Sequence, residues 1–581
     1  MRDPRGRARQ SGRGSSLGVT TGHTSATGRL QKFLLVACLL ASFLQSTFFA
    51  YALVTDADEG AYMLLGRLAI TGKIGLFQDE MTGQRMPLPY YVIGLSQLLF
   101  GRSLVAARLT SAALGLACLV LVYLLGRRLG GEVAGVLALL FAATQSVIIG
   151  YFAGAYYHSL VSLELLVALY VLLATDLRHR RVITMGCVAL LFFTRPNVAP
   201  LIPLACAYLL WQSERPGERL AIVAVTILPP VGFLAWDPDH LKLLAYVPMI
   251  RSVVLPLGFQ AAPPPKEGPL ATGLVEAAVL VARWYRGWIL AALALAVFLA
   301  APAIRRAPAR ASVASRGFGV IAVAVVYLAF WQFVIFGAPR NAVGYFPSFA
   351  ILAAVCLAVG FAALVEQPVI GRGPRAAVAA FLTVFFLVSP AVSRPPTLPA
   401  AVSWQNSTPR ALDRAAEKLR RLIPPDARVF LFGPSQPLYL AGLNPYLRQI
   451  THLYTLTTAS DARIRRRSGL WGKDEIREWL TRDADYAMIA PRELDAFRGE
   501  QNTASGNNVD LIRSLLREHF DLAGTAGAPP VVYEVYTRKS VPARWGRAVR
   551  PVRSDVASQE LVEKHVQAGQ PRFEVLNPRA R

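Results

Sequence analysis

The chain has 581 residues, 54% of them apolar and 17% charged, a balance that argues against a string of soluble domains and for a protein dissolved largely in lipid. Its formal charge of +25 comes from 53 Arg and 8 Lys, but these lie between apolar runs and form no single patch with interleaved aromatics, which argues against a nucleic-acid partner. Cys38, Cys118, Cys187, Cys206 and Cys356 all fall inside apolar runs without CxxC spacing, so neither a disulfide framework nor a zinc site is signalled.

Residues 1–32 carry seven basic side chains and one acid among Gly, Ser and Thr, and are expected to form a disordered cytoplasmic tail. The apolar run 33–54 reads as a first membrane helix, not a signal peptide, because it is of spanning length and no small-residue cleavage site follows Val54. Further runs of spanning length lie near 105–125, 133–152, 158–176, 220–236, 287–304, 318–336, 343–364 and 376–393. The run 182–212 is too long for one span and is interrupted by Arg195-Pro196-Asn197, so two short helices are expected there and the total is about eleven.

Loop charge sets the orientation. Arg127 and Arg128, Arg178 to Arg181, Arg215 and Arg219, Arg305 and Arg306, and Arg372 and Arg375 fall in alternate loops, which places the amino terminus in the cytoplasm and the carboxyl terminus outside the plasma (inner) membrane. The outer loops 55–104 and 237–286 are long, and the first contains "RMPLPYYVIGLSQLLFG", an apolar stretch too short to span and suited to lying along the interface. Tyr90, Tyr91, Trp284, Tyr285 and Trp288 are expected in the interfacial aromatic belt, with sugar stacking as a second role. The multi-pass domain covers 33–393.

After residue 394 the pattern becomes that of a soluble α/β domain, 394–539. It has helices over 409–422, 474–482 and 508–518, and strands at "RVFLFG" (428–433), "YAMIA" (486–490) and "VVYEVY" (531–536). Residues 540–581 are polar and basic with no clear period.

Chemistry concentrates in "TDADEGAYMLLGRL", where Asp56, Asp58 and Glu59 lie just outside the first membrane helix. Three carboxylates within four residues repel one another and are partly desolvated at an interface, so at least one is expected to have a raised pKa unless a cation compensates; such a group suits a general base or a metal ligand. The same cluster also fits a simple marker of where a helix leaves the bilayer.

The order of "DEGAYMLLGRLAITGKIG", "RMPLPYYVIGLSQLLFGRSLVAARLTSAALGLACLVLVYLLGRRLGG", "TRPNVAPLIP" and "GAPRNAVGYFPSFAIL" resembles the GT-C glycosyltransferases related to protein O-mannosyltransferases and the lipid A aminoarabinose transferase, over most of residues 33–540. The resemblance implies a GT-C membrane domain with an outer carboxyl-terminal domain, and transfer of a sugar from a polyprenyl-phosphate donor to a glycan, lipid or protein acceptor. It places Asp58 at the catalytic base, with Glu59 and Asp56 positioning the acceptor or a divalent cation if one is used. Arg85, Arg195 and Arg340 are the candidates for the leaving phosphate, since a guanidinium offers a planar fork to phosphate oxygens. Where the family often has an Asp at the outer start of the fourth helix, this chain has His158, a candidate acceptor or metal contact together with Glu164. A lipid flippase or transporter and a non-catalytic GT-C-like subunit are the alternative readings. An acidic cluster at one face and the absence of a hydropathy repeat weigh against a transporter.

Overall fold

The computed structural model describes residues 24–53, 55, 57–74, 86–236, 270–300, 312–332, 346–366, 372–392, 408–443, 472–492, 494–495, 503–528 and 531–540. They form a predominantly helical bundle followed by a four-stranded sheet.

The first helix, α1 (Thr24–Ala52), begins inside the stretch expected to be a tail, while its part apolar enough to cross a membrane is Gln31–Ala52. Two short helices follow, α2 (Ala57–Ile70) and α3 (Pro87–Leu99), within what the sequence presents as a long outer loop. They pack backbone to backbone through Gly66 and Gly94, where a Cβ on either residue would collide with the other helix. Tyr90, Ile93, Ser96 and Gln97 of α3 face inward, whereas Tyr91, Leu95, Leu98, Leu99 and Phe100 remain exposed, giving the helix one apolar outer face.

Helix α4 (Leu104–Ala143) starts at Ser103, whose hydroxyl caps the Ala106 N–H, and is a hairpin. At Gly130 and Gly131 the backbone leaves helical geometry, Gly131 with φ +80°, and the chain turns back so that Gly126 meets Ala134 and Gly135 meets Tyr123. Thr144 and Gln145 separate α4 from α5 (Ser146–Ala153), which meets α6 (His158–Ala174) at 111°. The expected break in 182–212 is present: α7 (Arg180–Thr194) stops before Pro196, Arg195 is extended, a 3-10 turn covers Pro196–Val198, and α8 (Leu201–Gln212) resumes. Helices α9 (Pro216–Trp236), α10 (Leu270–Ala300), α11 (Ser312–Phe330), α12 (Pro347–Glu366) and α13 (Arg372–Val392) complete the bundle. Helix α10 starts well inside the stretch 237–286 read as outer loop and bends at Tyr285.

Among the described residues five helices are long and apolar enough to cross a membrane, or six if the bent pair α5 and α6 is one span. The chain is a multi-pass membrane protein. Helices α7 and α8 are each too short, at about 1.5 Å per residue, for a core of roughly 30 Å, and α4, a single helix by length, folds back at Gly130-Gly131 into two antiparallel apolar arms.

In the carboxyl-terminal part, α14 (Pro409–Leu422), β1 (Val429–Phe432), α15 (Gln436–Leu440), α16 (Lys473–Glu478), β2 (Tyr486–Ile489), α17 (Thr503–His519), β3 (Phe520–Ala528) and β4 (Val531–Arg538) build a sheet of order β1-β2-β4-β3. Strands β1 and β2 are parallel and the remaining pairs antiparallel. Strand β3 carries no strong strand signal: "FDLAGTAGA" is rich in Gly and Ala, and a bulge at Leu522/Gly524 accommodates it. Both faces of β1 and β2 are buried. Phe430, Phe432, Ala487 and Ile489 pack under α16 and α17, while Val429, Leu431, Tyr486 and Met488 join a core that also contains Tyr62, Leu64 and Leu65 of α2. The sheet and α2 therefore share one hydrophobic core.

Candidate functional site

Asp58 and Glu59 occupy the first turn of α2, where unpaired backbone N–H groups and the helix dipole favour negative charge. The two side chains have different surroundings. Asp58 is half-buried, whereas Glu59 is fully buried and satisfied from four directions. Arg108 of α4 grips it as a fork, Nε to Oε1 at 2.8 Å and Nη2 to Oε2 at 2.7 Å; the Ala155 N–H donates to Oε1 at 2.8 Å, and the Thr55 hydroxyl donates to Oε2 at 2.7 Å. The remaining Arg108 nitrogen donates to the Ala50 and Leu53 carbonyls at the end of α1. Burial opposes ionisation of Glu59, but the Arg108 charge and these donors outweigh it and hold the carboxyl below the usual carboxylate range. Arg108 is the cation that the acidic cluster calls for. Glu59, expected from the resemblance to position an acceptor or a metal, is instead engaged on the protein itself, because its oxygens are spent on Arg108, Ala155 and Thr55.

The Ala155 contact ties this clamp to the turn between α5 and α6, which leads through Tyr156 and Tyr157 to His158. His158 is buried, with Nδ1 2.8 Å from the Ser348 hydroxyl of α12; Ser162, one turn further along α6, donates to the Ser348 carbonyl at 2.7 Å. Tyr151, Tyr156 and Tyr157 surround the imidazole, with centroids 4.9, 5.8 and 4.3 Å away. Arg195 sits where α7 ends, its guanidinium carbon 4.0 Å from the centre of the Tyr157 ring, a cation–π contact that fixes the direction of the side chain. Segments distant in sequence thus converge on the turn that leads to His158: Glu59, next to Asp58 on α2, binds Ala155, and Arg195 of the broken α7/α8 pair lies over Tyr157, whose ring abuts the imidazole.

Glu164 lies deeper in α6 and accepts from the Thr194 hydroxyl at 2.7 Å, which attaches it to the residue preceding Arg195. Asn197, on the other side of Arg195, donates to Gln332 at 2.7 Å. Asp56, Arg85 and Arg340 lie outside the described residues. Tyr90, Tyr285 and Trp288 are buried in the core and not in an outer belt: the Tyr62 and Tyr90 rings pack tilted with centroids 4.9 Å apart, and the Trp288 indole donates to the Phe141 carbonyl at 3.1 Å. Tyr91, by contrast, keeps an exposed ring. No group of three or more His, Cys, Asp or Glu side chains suited to a metal ion is present among the described residues.

Arg108 and Thr55 were not singled out in the sequence, although a signal exists for the first. An Arg one turn into an apolar helix is costly in lipid and needs a partner.

Residues 84–236 match the family model described as dolichyl-phosphate-mannose-protein mannosyltransferase. The whole fold is similar to that of ArnT from Cupriavidus metallidurans. With the form bound to undecaprenyl phosphate the TM-score is 0.53 at 14% identity, over 89% of this chain and 99% of the other. With the apo form it is 0.52 at 14% identity, over 88% and 98%. An oligosaccharyltransferase from Archaeoglobus fulgidus, in complex with zinc and sulfate, is more distant, at TM-score 0.46 and 12% identity over 87% and 73%. No curated protein sequence matches the chain. The chain has the GT-C fold that its sequence resembles.

Proposed function

We propose that the chain is an integral membrane glycosyltransferase that moves a sugar from a polyprenyl-phosphate donor to an acceptor hydroxyl at the outer face of the membrane. Asp58 is the general base. The observation that carries this reading is that two segments close on the turn leading to His158: Glu59, next to Asp58, accepts from the Ala155 N–H, and the Arg195 guanidinium lies over the Tyr157 ring, in a bundle with the fold of a protein described in its bound form with undecaprenyl phosphate.

In the proposed step the acceptor oxygen forms a bond to the anomeric carbon while the bond from that carbon to the donor phosphate breaks. The hydroxyl proton passes to Asp58 and the bonding pair leaves on the phosphate oxygen. Growing negative charge on that phosphate needs a fixed cation, which Arg195 supplies, with Arg85 and Arg340 as further candidates. Glu59 supports the step from beneath: because Arg108 neutralises it, it does not compete for the proton or for the phosphate-binding cations. With Nδ1 held by Ser348, His158 meets the acceptor through Nε2, and Glu164 holds the Arg195 turn through Thr194. The carboxyl-terminal unit lies on the outer side with this site.

The test is transfer from a panel of radiolabelled polyprenyl-phosphate sugars by purified protein in detergent with crude envelope acceptor, wild type against Asp58→Asn. Loss of transfer in a variant that melts like the wild type is the expected result. Full transfer by folded Asp58→Asn would remove Asp58 from the mechanism. A wild type that binds donor lipid but turns over none of the panel would favour a flippase or a binding subunit.

A further inference from the structure

Helix α15 is five residues long, wholly buried, and belongs by sequence to the carboxyl-terminal unit, yet it is docked against α2. Its first residue, Gln436, donates from Nε2 to the Thr55 hydroxyl at 3.1 Å, and that hydroxyl donates in turn to Glu59 at 2.7 Å. The polarity of this relay is fixed. Thr55 has one hydroxyl proton, which goes to the carboxylate, so it receives from Gln436 through a lone pair and only a donor at position 436 completes the chain.

A second observation shows how tightly the two parts fit. A Cβ on Gly60, the residue after Glu59, would lie 2.6 Å from Gln436 Cδ and 2.8 Å from Ser435 Oγ, so glycine is the residue that lets α15 reach the start of α2. A third set of bonds holds α15 from its far end. Arg102 donates to the Tyr439 carbonyl at 3.2 Å, the Tyr439 hydroxyl donates to Gln97 at 3.2 Å, and Arg420 of α14 donates to the Leu440 and Ala441 carbonyls.

We infer that α15 is a latch through which the carboxyl-terminal unit holds the turn bearing Asp58, with Gln436 as a positioning residue that acts through Thr55 and Glu59. The unit is thus a working part of the site. Its effect on turnover rests on the proposal that Asp58 is the base; its effect on the turn does not.

The experiment uses full-length protein in detergent and three variants. Gln436→Met keeps the volume and removes the donor, Gln436→Glu keeps the shape and reverses the polarity, and Gly60→Ala wedges the contact. Amide hydrogen exchange across residues 55–62 is expected to rise about tenfold in each, with exchange across 347–366 unchanged. In transfer assays kcat should fall about tenfold while the donor KM stays within about twofold. For Gln436→Glu, kcat relative to wild type should recover as pH falls, because a protonated carboxyl donates again. Among the described residues the charged groups near that site are Glu59 and Arg108 across Thr55, Asp58 beside Glu59 on α2, Arg67 and Arg102 from the α2/α3 side, and Arg420 from α14. Wild-type exchange across 55–62 in Gln436→Met and Gln436→Glu would overturn the latch. Raised exchange with unchanged kcat would overturn the positioning role. If the wild type transfers from no donor, the glycosyltransferase reading fails while the exchange arm still decides whether the latch exists.

Discussion

Replacing Arg108 by Leu tests the clamp beneath the proposed base. The substitution deletes both arms of the fork to Glu59 and the donor to the Ala50 and Leu53 carbonyls, and leaves a carboxylate with 1% side-chain exposure without its fixed cation. Removing one partner of a buried pair costs about 3–5 kcal/mol. At no more than about 2 °C per kcal/mol for a chain of this size, the apparent melting temperature should fall by roughly 5–10 °C. Glu59→Gln should cost a similar amount, since it strands the guanidinium. The double variant should lose less than the sum of the two singles by about 2 kcal/mol or more, because a neutral amide beside a Leu strands no charge. The assay is thermal unfolding in detergent at a fixed scan rate, read by intrinsic fluorescence. Single variants that melt within about 1 °C of wild type, or a double variant whose loss equals the sum, would refute the buried clamp.

Acid should act through the same group. The folded carboxyl of Glu59 lies below its unfolded value of about 4.3, so its contribution is present above that pH and is lost as pH falls through the folded value. The slope of melting temperature between pH 5 and 3 should therefore be shallower in the Glu59→Gln, Arg108→Leu double variant; equal slopes would show that Glu59 is not the group responsible. Gly94→Ala should separate α2 from α3 and cost about 1–3 kcal/mol or more, seen as a lowered melting temperature, because the added methyl meets backbone that cannot turn aside. Arg195→Lys keeps the charge but gives up the fork and the stack on Tyr157, so the donor KM should rise about tenfold with little loss of fold, and an unchanged KM would remove Arg195 from donor binding.

Local signals carried the architecture far. Pro196 within an apolar run announces the break that presents Arg195, Gly130-Gly131 falls between two apolar runs and becomes a hairpin turn, and the unbroken runs at 429–432 and 486–489 suit strands buried on both faces. Asp58 and His158 stand out by charge at helix starts. The pairing of Glu59 with Arg108 did not, because nothing in either segment encodes which of several cations meets which of three adjacent carboxylates; their contact joins positions 49 residues apart. Burial of Tyr285 and Trp288 was equally hidden, since an aromatic near a helix end reads alike whether it faces headgroups or a neighbouring helix. The strand β3 escaped because its partners, not its own side chains, make it a strand.

The bond from Gln436 to Thr55 spans 381 residues. At about 5–20 residues per second, a ribosome needs roughly 20–75 s to travel between the two positions. Throughout that interval the turn at the start of α2 has been made while its last donor has not. The nascent protein must therefore carry an unfinished turn near its amino terminus for most of its synthesis. A chain interrupted before residue 436 would leave the ribosome with its bundle threaded and this turn still unlatched.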